Sequence, residues 1–159
     1  MSLSRPPPLP ITGASFSLGI VAARYNAPLV DALLKNVIAE LRAGGVTERR
    51  LKVVRVPGSH EVPVAAQWLA QTGRHDGVIA LGVLIAGNTN HHEMVGQSVS
   101  HALQQVAVST GTPVINGVIV ANNARQAEAR CRGALNRGAE FARAMLEMAA
   151  LKRALGGRS

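Results

Sequence analysis

The sequence predicts an α/β fold, a single domain with a parallel sheet covered on both faces. Three observations carry this. Short apolar runs alternate with segments whose apolar residues recur at three- and four-residue steps, so strand and helix follow in turn. The strand-like runs are apolar throughout, as in strands buried on both sides. Polar residues cluster just after those runs, at Tyr25-Asn26, Ser59-His60-Glu61, Asn88 to Glu93 and Asn122-Asn123. Open parallel sheets bind ligands at that end of the strands.

The first ten residues carry Pro6, Pro7, Pro8 and Pro10 and read as extended. Residues 1–13 are therefore set apart from a domain over 14–155. Phe16 to Ala23 is the first buried strand. Leu29, Val30, Leu33, Leu34, Val37, Ile38 and Leu41 then form the apolar stripe of a helix. Asn26 suits its cap, Pro28 its first turn and Gly44-Gly45 its stop. Leu51 to Val56 is the second strand, PGSHE a loop, and Val62 to Thr72 a short helix around Trp68 and Leu69 ended by Gly73. Gly77 to Ala86 is the longest apolar run and the expected central strand. A helix from about Asn90 to Ser109 buries Val95, Val99, Leu103 and Val106, and Gly111 and Pro113 end it. Pro113 to Ala121 is the fourth strand. Asn122 and Asn123 suit the cap of the next helix, which Gly138 is expected to interrupt. A last helix directs Phe141, Met145, Met148 and Leu151 inward. Parallel neighbours joined this way need right-handed crossovers.

Composition narrows the function. Aromatic residues make up 3% of the 159, too few to build stacking platforms for single-stranded nucleic acid. The net charge of +8 favours anionic partners, nucleic acid or a phosphorylated small molecule. The basic residues of the last third (Arg125, Arg130, Arg132, Arg137, Arg143, Lys152, Arg153 and Arg158) are spread among alanines and glutamates, as on a solvated helix face. One cysteine, Cys131, allows neither an internal disulfide nor a cysteine zinc site. The N-terminus lacks the apolar core of a signal peptide, and no apolar run is long enough to span a bilayer. A cytoplasmic location follows as the expectation.

The stretch GNTNHHEMV, Gly87 to Val95, concentrates the chemistry. A glycine-led turn opening a helix presents free N–H groups, and the helix dipole favours an anion there. Gly87 to Thr89 therefore reads as a phosphate cradle or as an ordinary strand-to-helix turn. No Gly-Lys-Ser/Thr follows, so it is not a Walker loop. His91 and His92 are adjacent and point in different directions on a helix, whereas a helical zinc pair needs a spacing of four. His60, His75 and His101 supply no second half-site, so no metal is expected. His91 at a helix start suits a proton acceptor, or else is a surface histidine. Glu93, three residues after Asn90, has capping-box spacing. Glu61 reads either as a hydrogen-bond acceptor for a polyol or as a helix-start acid. Arg130 and Arg137 read as phosphate or carbonyl ligands, or as solvated surface.

These residues also match a family pattern. VPGSHEVPVAAQWLA resembles the VPGSFEIPxAAxxLA segment of lumazine synthases. DGVIALGVLIAGNTNHHEMV resembles their DAVIALGxVIRGxTxHxxxV, and PVINGVIV, QAEAR and NRG resemble PVIFGVLT, QAxER and NKG. Tyr25-Asn26 stands where the family has an aromatic followed by Asn. The likeness runs from about Leu18 to Leu151, ungapped to Arg130, with one residue missing between Arg130 and Asn136.

The resemblance implies a three-layer, flavodoxin-like sandwich on a four-stranded parallel sheet. It implies condensation of 5-amino-6-(D-ribitylamino)uracil with 3,4-dihydroxy-2-butanone 4-phosphate to 6,7-dimethyl-8-ribityllumazine, the penultimate step of riboflavin synthesis. The implied partners are these two small substrates, one phosphorylated, and further copies of the chain in a pentamer, decamer or larger shell with active sites between neighbours. No cofactor, nucleic acid or membrane is implied. By position, His91 matches the proton-transfer histidine, Asn88 and Thr89 the phosphate turn, and Arg130 a phosphate arginine from the next subunit. Tyr25 matches the aromatic that stacks on the pyrimidine, and Asn26 the substrate-binding asparagine that follows it. Ser59, His60 and Glu61 match the segment at the ribityl chain and ring. Val83, Leu84 and Ile85 match the strand end that reads the uracil edge. Asn116 and Arg137 match neighbour positions facing the ring. His60 and Asn116 replace phenylalanines, Arg137 a lysine and Ala86 an arginine. His92 replaces an aromatic and is left to the surface. The alternative is a weakly active or non-catalytic flavin or lumazine binder on the same scaffold. A nucleic-acid binder has only the charge in its favour. A flavodoxin-type carrier lacks aromatic flavin walls, and a receiver domain would need acidic strand ends.

Overall fold

A computed structural model of the chain describes residues 4–156. Residues 1–3 of the proline-rich segment and Arg158 of the basic set lie outside the described residues.

The sheet holds β1 (Leu18–Ala23), β2 (Leu51–Val56), β3 (Gly77–Ile85) and β4 (Val114–Ala121) in the order β2-β1-β3-β4, all parallel. Helices α1 (Ala27–Ala43), α2 (Val62–Gln71), α3 (His91–Thr110), α4 (Ala124–Cys131) and α5 (Arg137–Ala154) complete the single α/β domain. Strand residues alternate between two cores, as the two-residue period of a strand requires. Leu18, Ile20, Ala22, Ile79, Leu81 and Val83 meet α1, α4 and α5. Val21, Ala23, Val78 and Ala80 meet α2 and α3. The three-layer arrangement follows from this alternation, and the cores are filled by helix stripes such as Leu33-Val37-Leu41 and Val95-Val99-Leu103-Val106.

Several sequence expectations need correction. β1 starts at Leu18; Phe16 precedes it, buried beneath the Arg153 guanidinium, which lies 4.6 Å from its ring centre. β2 is an edge strand with Lys52, Val53 and Arg55 exposed, so only its inner neighbours are covered on both faces. PGSHE contains a 3-10 turn, Ser59–Glu61, and a second such turn, Glu48–Arg50, precedes β2. In α2, Leu69 is buried and Trp68 is exposed. Gly138 does not interrupt a helix. The break falls after Cys131, and α5 begins one residue before Gly138, which packs tightly on α1. The inward face of α5 is Phe141, Ala142, Met145, Leu146 and Ala149, while Met148 and Leu151 are exposed.

Residues 5–13 carry no helix or strand. Arg5 reaches Glu140 at 2.6 Å, and the Gly13 N–H donates to the Gly44 carbonyl at 2.6 Å. Among the described residues, no helix is long and apolar enough to cross a membrane.

Candidate functional site

Parallel strands bring their carboxyl ends to one side of the sheet, and there the exits of β1, β2 and β3 and the start of α3 enclose a cleft of about 920 Å³. The β1 and β2 exits are tied by backbone, with Arg24 N–H donating to Val56 at 2.9 Å and Tyr25 N–H to Pro57 at 3.1 Å. This tie holds Tyr25 outward, 73% exposed, with its ring against Gly58. A Cβ on Gly58 would come within 3.0 Å of that ring, so glycine permits the contact.

Asn26 starts α1 in the left-handed region (φ 56°), a conformation asparagine tolerates. Its side chain does not cap the helix as expected. Nδ2 instead donates to the Val83 carbonyl at 2.8 Å, fastening the start of α1 to the end of β3. One acceptor of that strand end is therefore already engaged. Val83 is buried, and Leu84 and Ile85 are half-buried in the wall of the cleft.

The Ser59–Glu61 turn forms the opposite wall. Glu61 Oε2 accepts the Gly58 N–H at 2.9 Å, leaving Oε1 toward His60, whose Nδ1 lies 3.9 Å away. The capping carboxylate is thus Glu61. Glu93, expected to cap α3, makes no side-chain hydrogen bond among the described residues. Ser59 is buried with its Oγ unpartnered, and His60 is exposed.

At the start of α3, the Thr89 hydroxyl accepts the His91 N–H at 3.3 Å, and Asn90 gives no side-chain cap. The His92 N–H has no partner among the described residues, as the first N–H groups of a helix commonly lack one. His91 is exposed at the first helical position. His92 is not on the surface as expected; it is buried, with Nδ1 unpartnered. Its position was readable, because 92 lies three residues before Val95 and so extends the buried stripe of α3.

Ten of the sequence-predicted residues line this one cleft: Tyr25, Asn26, Ser59, His60, Glu61, Val83, Leu84, Ile85, Thr89 and His91. Gly58, Gly87, His92, Met94, Val95 and Ser98 line it as well. Four do not. Asn88 sits in the adjoining turn. Asn116 pairs with Ala80 in mid-sheet, five residues short of the strand end at Ala121, or roughly 17 Å along the strand. Arg130 folds back onto the Gln126 carbonyl at 3.1 Å, and Arg137 is held by Glu140 at 2.7 Å. Asn123 does cap α4, accepting the Gln126 N–H at 2.9 Å. Among the described residues, no group of three or more His, Cys, Asp or Glu side chains is placed to hold a metal ion.

The cleft thus offers an aromatic face, a carboxylate with one oxygen outside the Gly58 hydrogen bond, a strand end with backbone polar groups, and an imidazole at a helix N-terminus. That set suits a flat polar ring together with an anionic group.

Comparison with known proteins agrees with this chemistry. Residues 15–153 match the family described as 6,7-dimethyl-8-ribityllumazine synthase. Proteins of that name from Xanthomonas oryzae pv. oryzae (strain PXO99A) and Xanthomonas campestris pv. campestris (strain B100) are 42% and 43% identical over 130 residues, covering 81% of this chain and 84% of theirs. One from Xylella fastidiosa (strain 9a5c) is 42% identical over 133 residues, covering 83% of this chain and 86% of its own.

Proposed function

The chain belongs to the 6,7-dimethyl-8-ribityllumazine synthase family, and from that premise we propose that it condenses 5-amino-6-(D-ribitylamino)uracil with 3,4-dihydroxy-2-butanone 4-phosphate. The observation that carries the reading is the meeting of Tyr25, Glu61, His91 and the α3 N-terminus in one cleft. The pyrimidine stacks on Tyr25, its edge meets backbone groups at Val83 to Ile85, and its ribityl hydroxyls reach Ser59 and Oε1 of Glu61. The phosphate lies at Asn88-Thr89 and the first turn of α3. The 5-amino group attacks the ketone carbonyl to give a carbinolamine. Water leaves to give an imine, phosphate is eliminated, and ring closure releases a second water. His91 moves protons in these steps. Holding two substrates in register supplies much of the rate.

Arg130, Asn116 and Arg137 belong to this reading as contributions from a neighbouring copy, which gives a homo-oligomer with sites between subunits and, by family pattern, a pentamer. The exposed apolar residues Val108, Met148, Leu151 and Leu155 support an assembly, because they border an open groove of about 750 Å³ beside the β4 edge. A cytoplasmic location fits a soluble biosynthetic step. The test is direct: purified protein is mixed with both substrates in the presence of a chelator, and formation of the lumazine is followed by its absorbance. Turnover supports the reading. Ligand binding without turnover overturns it in favour of a non-catalytic binder.

A further inference from the structure

We propose that His92 is a positioning residue for the pyrimidine substrate, acting with Ser59 from the floor of the cleft; the inference rests on the reaction proposed above. Two polar side chains lining this cleft are more than nine-tenths buried: Ser59 is 4% exposed and His92 is 9% exposed. Each has a buried atom without a partner, Oγ of Ser59 and Nδ1 of His92. Buried polar atoms are nearly always hydrogen-bonded, and each exception calls for a cause, here two orphaned atoms lining one ligand cleft. The third such atom, His75 Nδ1, belongs to a half-buried side chain at the other end of the sheet.

Packing holds both groups in place. Ser59 Oγ rests over Gly82 of β3, so close that a Cβ there would meet it at 2.4 Å. His92 sits on the buried stripe of α3, one turn before Val95. Successive helical residues point roughly 100° apart, so His91 faces the mouth while its neighbour faces the floor. The end of the cleft concerned is also defined. Ser59 shares its turn with Glu61 and follows Gly58, on which the Tyr25 ring rests. The phosphate turn at Gly87 to Thr89 is a different loop from that of Ser59 and leads into the helix that carries His92. A hydroxyl and an imidazole nitrogen each donate or accept, which matches the alternating groups of a polyhydroxylated arm or a pyrimidine edge. The His92 side chain is therefore assigned, with Ser59, to the pyrimidine, while the backbone at the start of α3 is left to the phosphate.

The test compares wild type with His92→Phe, which keeps the volume and removes both nitrogens, and His92→Asn, which keeps a polar atom at the Nδ1 position. His92→Phe is expected to raise KM for the pyrimidine roughly three- to tenfold, the cost of a lost neutral hydrogen bond. The kcat and the KM for the ketose phosphate should stay within about twofold, and His92→Asn should recover most of the loss. Adding His92→Phe to Ser59→Ala should cost little more, because the two act together. An unchanged pyrimidine KM, an equal rise in both KM values, or an asparagine variant no better than phenylalanine would overturn the proposal. His92→Leu replaces the phenylalanine variant if that one does not fold. Calorimetry with the pyrimidine alone gives the same comparison without turnover. A wild type that binds it but makes no product refutes the reaction and leaves His92 to be judged by binding; a wild type that does neither sinks both.

Discussion

Glu61 and Glu93 carry the same sequence signature, an acid three residues after a small polar or glycine residue, yet only Glu61 caps its turn. Local spacing defines where a cap is possible, and the partner that wins is set by the rest of the fold. Asn26 shows the same limit, since its side chain prefers a β3 carbonyl distant in sequence to its own helix. His91 is a case where local position suffices: the first residue of a long helix, exposed, and free to meet a ligand. Replacing it with alanine should lower kcat roughly tenfold to several-hundredfold, the usual scale of a lost proton-transfer group, with little change in assembly. Steady-state kinetics with both substrates, alongside light scattering, checks this; wild-type turnover removes His91 from the mechanism. Cys131 gives a prediction of opposite character. Burial pushes its thiol from 9.0 up to about 11, with Glu128 adding to the shift. Between those values the folded chain keeps a proton that the unfolded chain loses, so stability falls as pH rises through the window. The full loss is on the order of 2–3 kcal/mol at about 1.4 kcal/mol per unit. Urea midpoints of wild type and Cys131→Ala should therefore converge or cross between pH 9 and 11; parallel curves would rule out the buried thiol as the cause.

At the scale of elements, order and type were legible because hydrophobic period is local. Each apolar run became a strand and each stripe a helix, and Gly111 ends α3 in the left-handed conformation expected of a stop. Errors fell where a neighbour decided the outcome. Gly138 looks like a helix breaker, and the structure uses it for close approach: a Cβ there would meet the Asn36 Cβ at 2.8 Å and the Leu33 carbonyl at 2.9 Å. Two effects of Gly138→Ala therefore oppose each other. Helix propensity gains about 1 kcal/mol. Overpacking against the backbone of α1 costs about 1–3 kcal/mol, and backbone has little room to yield. The variant should be the less stable, with a lower urea midpoint and an unchanged far-UV spectrum. A higher midpoint would show that α1 and α5 separate freely.

At the scale of the molecule, one chain does not bring all the expected residues together. Ten of the expected residues share a cleft, while Asn116, Arg130 and Arg137 lie away from it on the β4 edge and in the α4–α5 region. Sequence motifs named these residues, and the proposed pairing between copies leaves no local signal in one chain. Exposed Val108 (74%) and Leu155 (78%) lie beside that same edge, where a solitary chain would leave apolar surface in water. The proposed ring of identical subunits would account for both facts, because a head-to-tail contact sets one face against a different face of the next copy. The consequence is complementation. His91→Ala and Arg130→Ala subunits, each expected to fall at least about tenfold below wild type alone, are mixed in equal amounts by co-refolding. A site is intact only when the copy giving His91 is the arginine variant and its neighbour is the histidine variant. Random mixing makes about one site in four intact, so activity should recover to about a quarter of wild type. If both residues served the same chain's cleft, every mixed site would lack one of them, and the mixture would be no more active than its components.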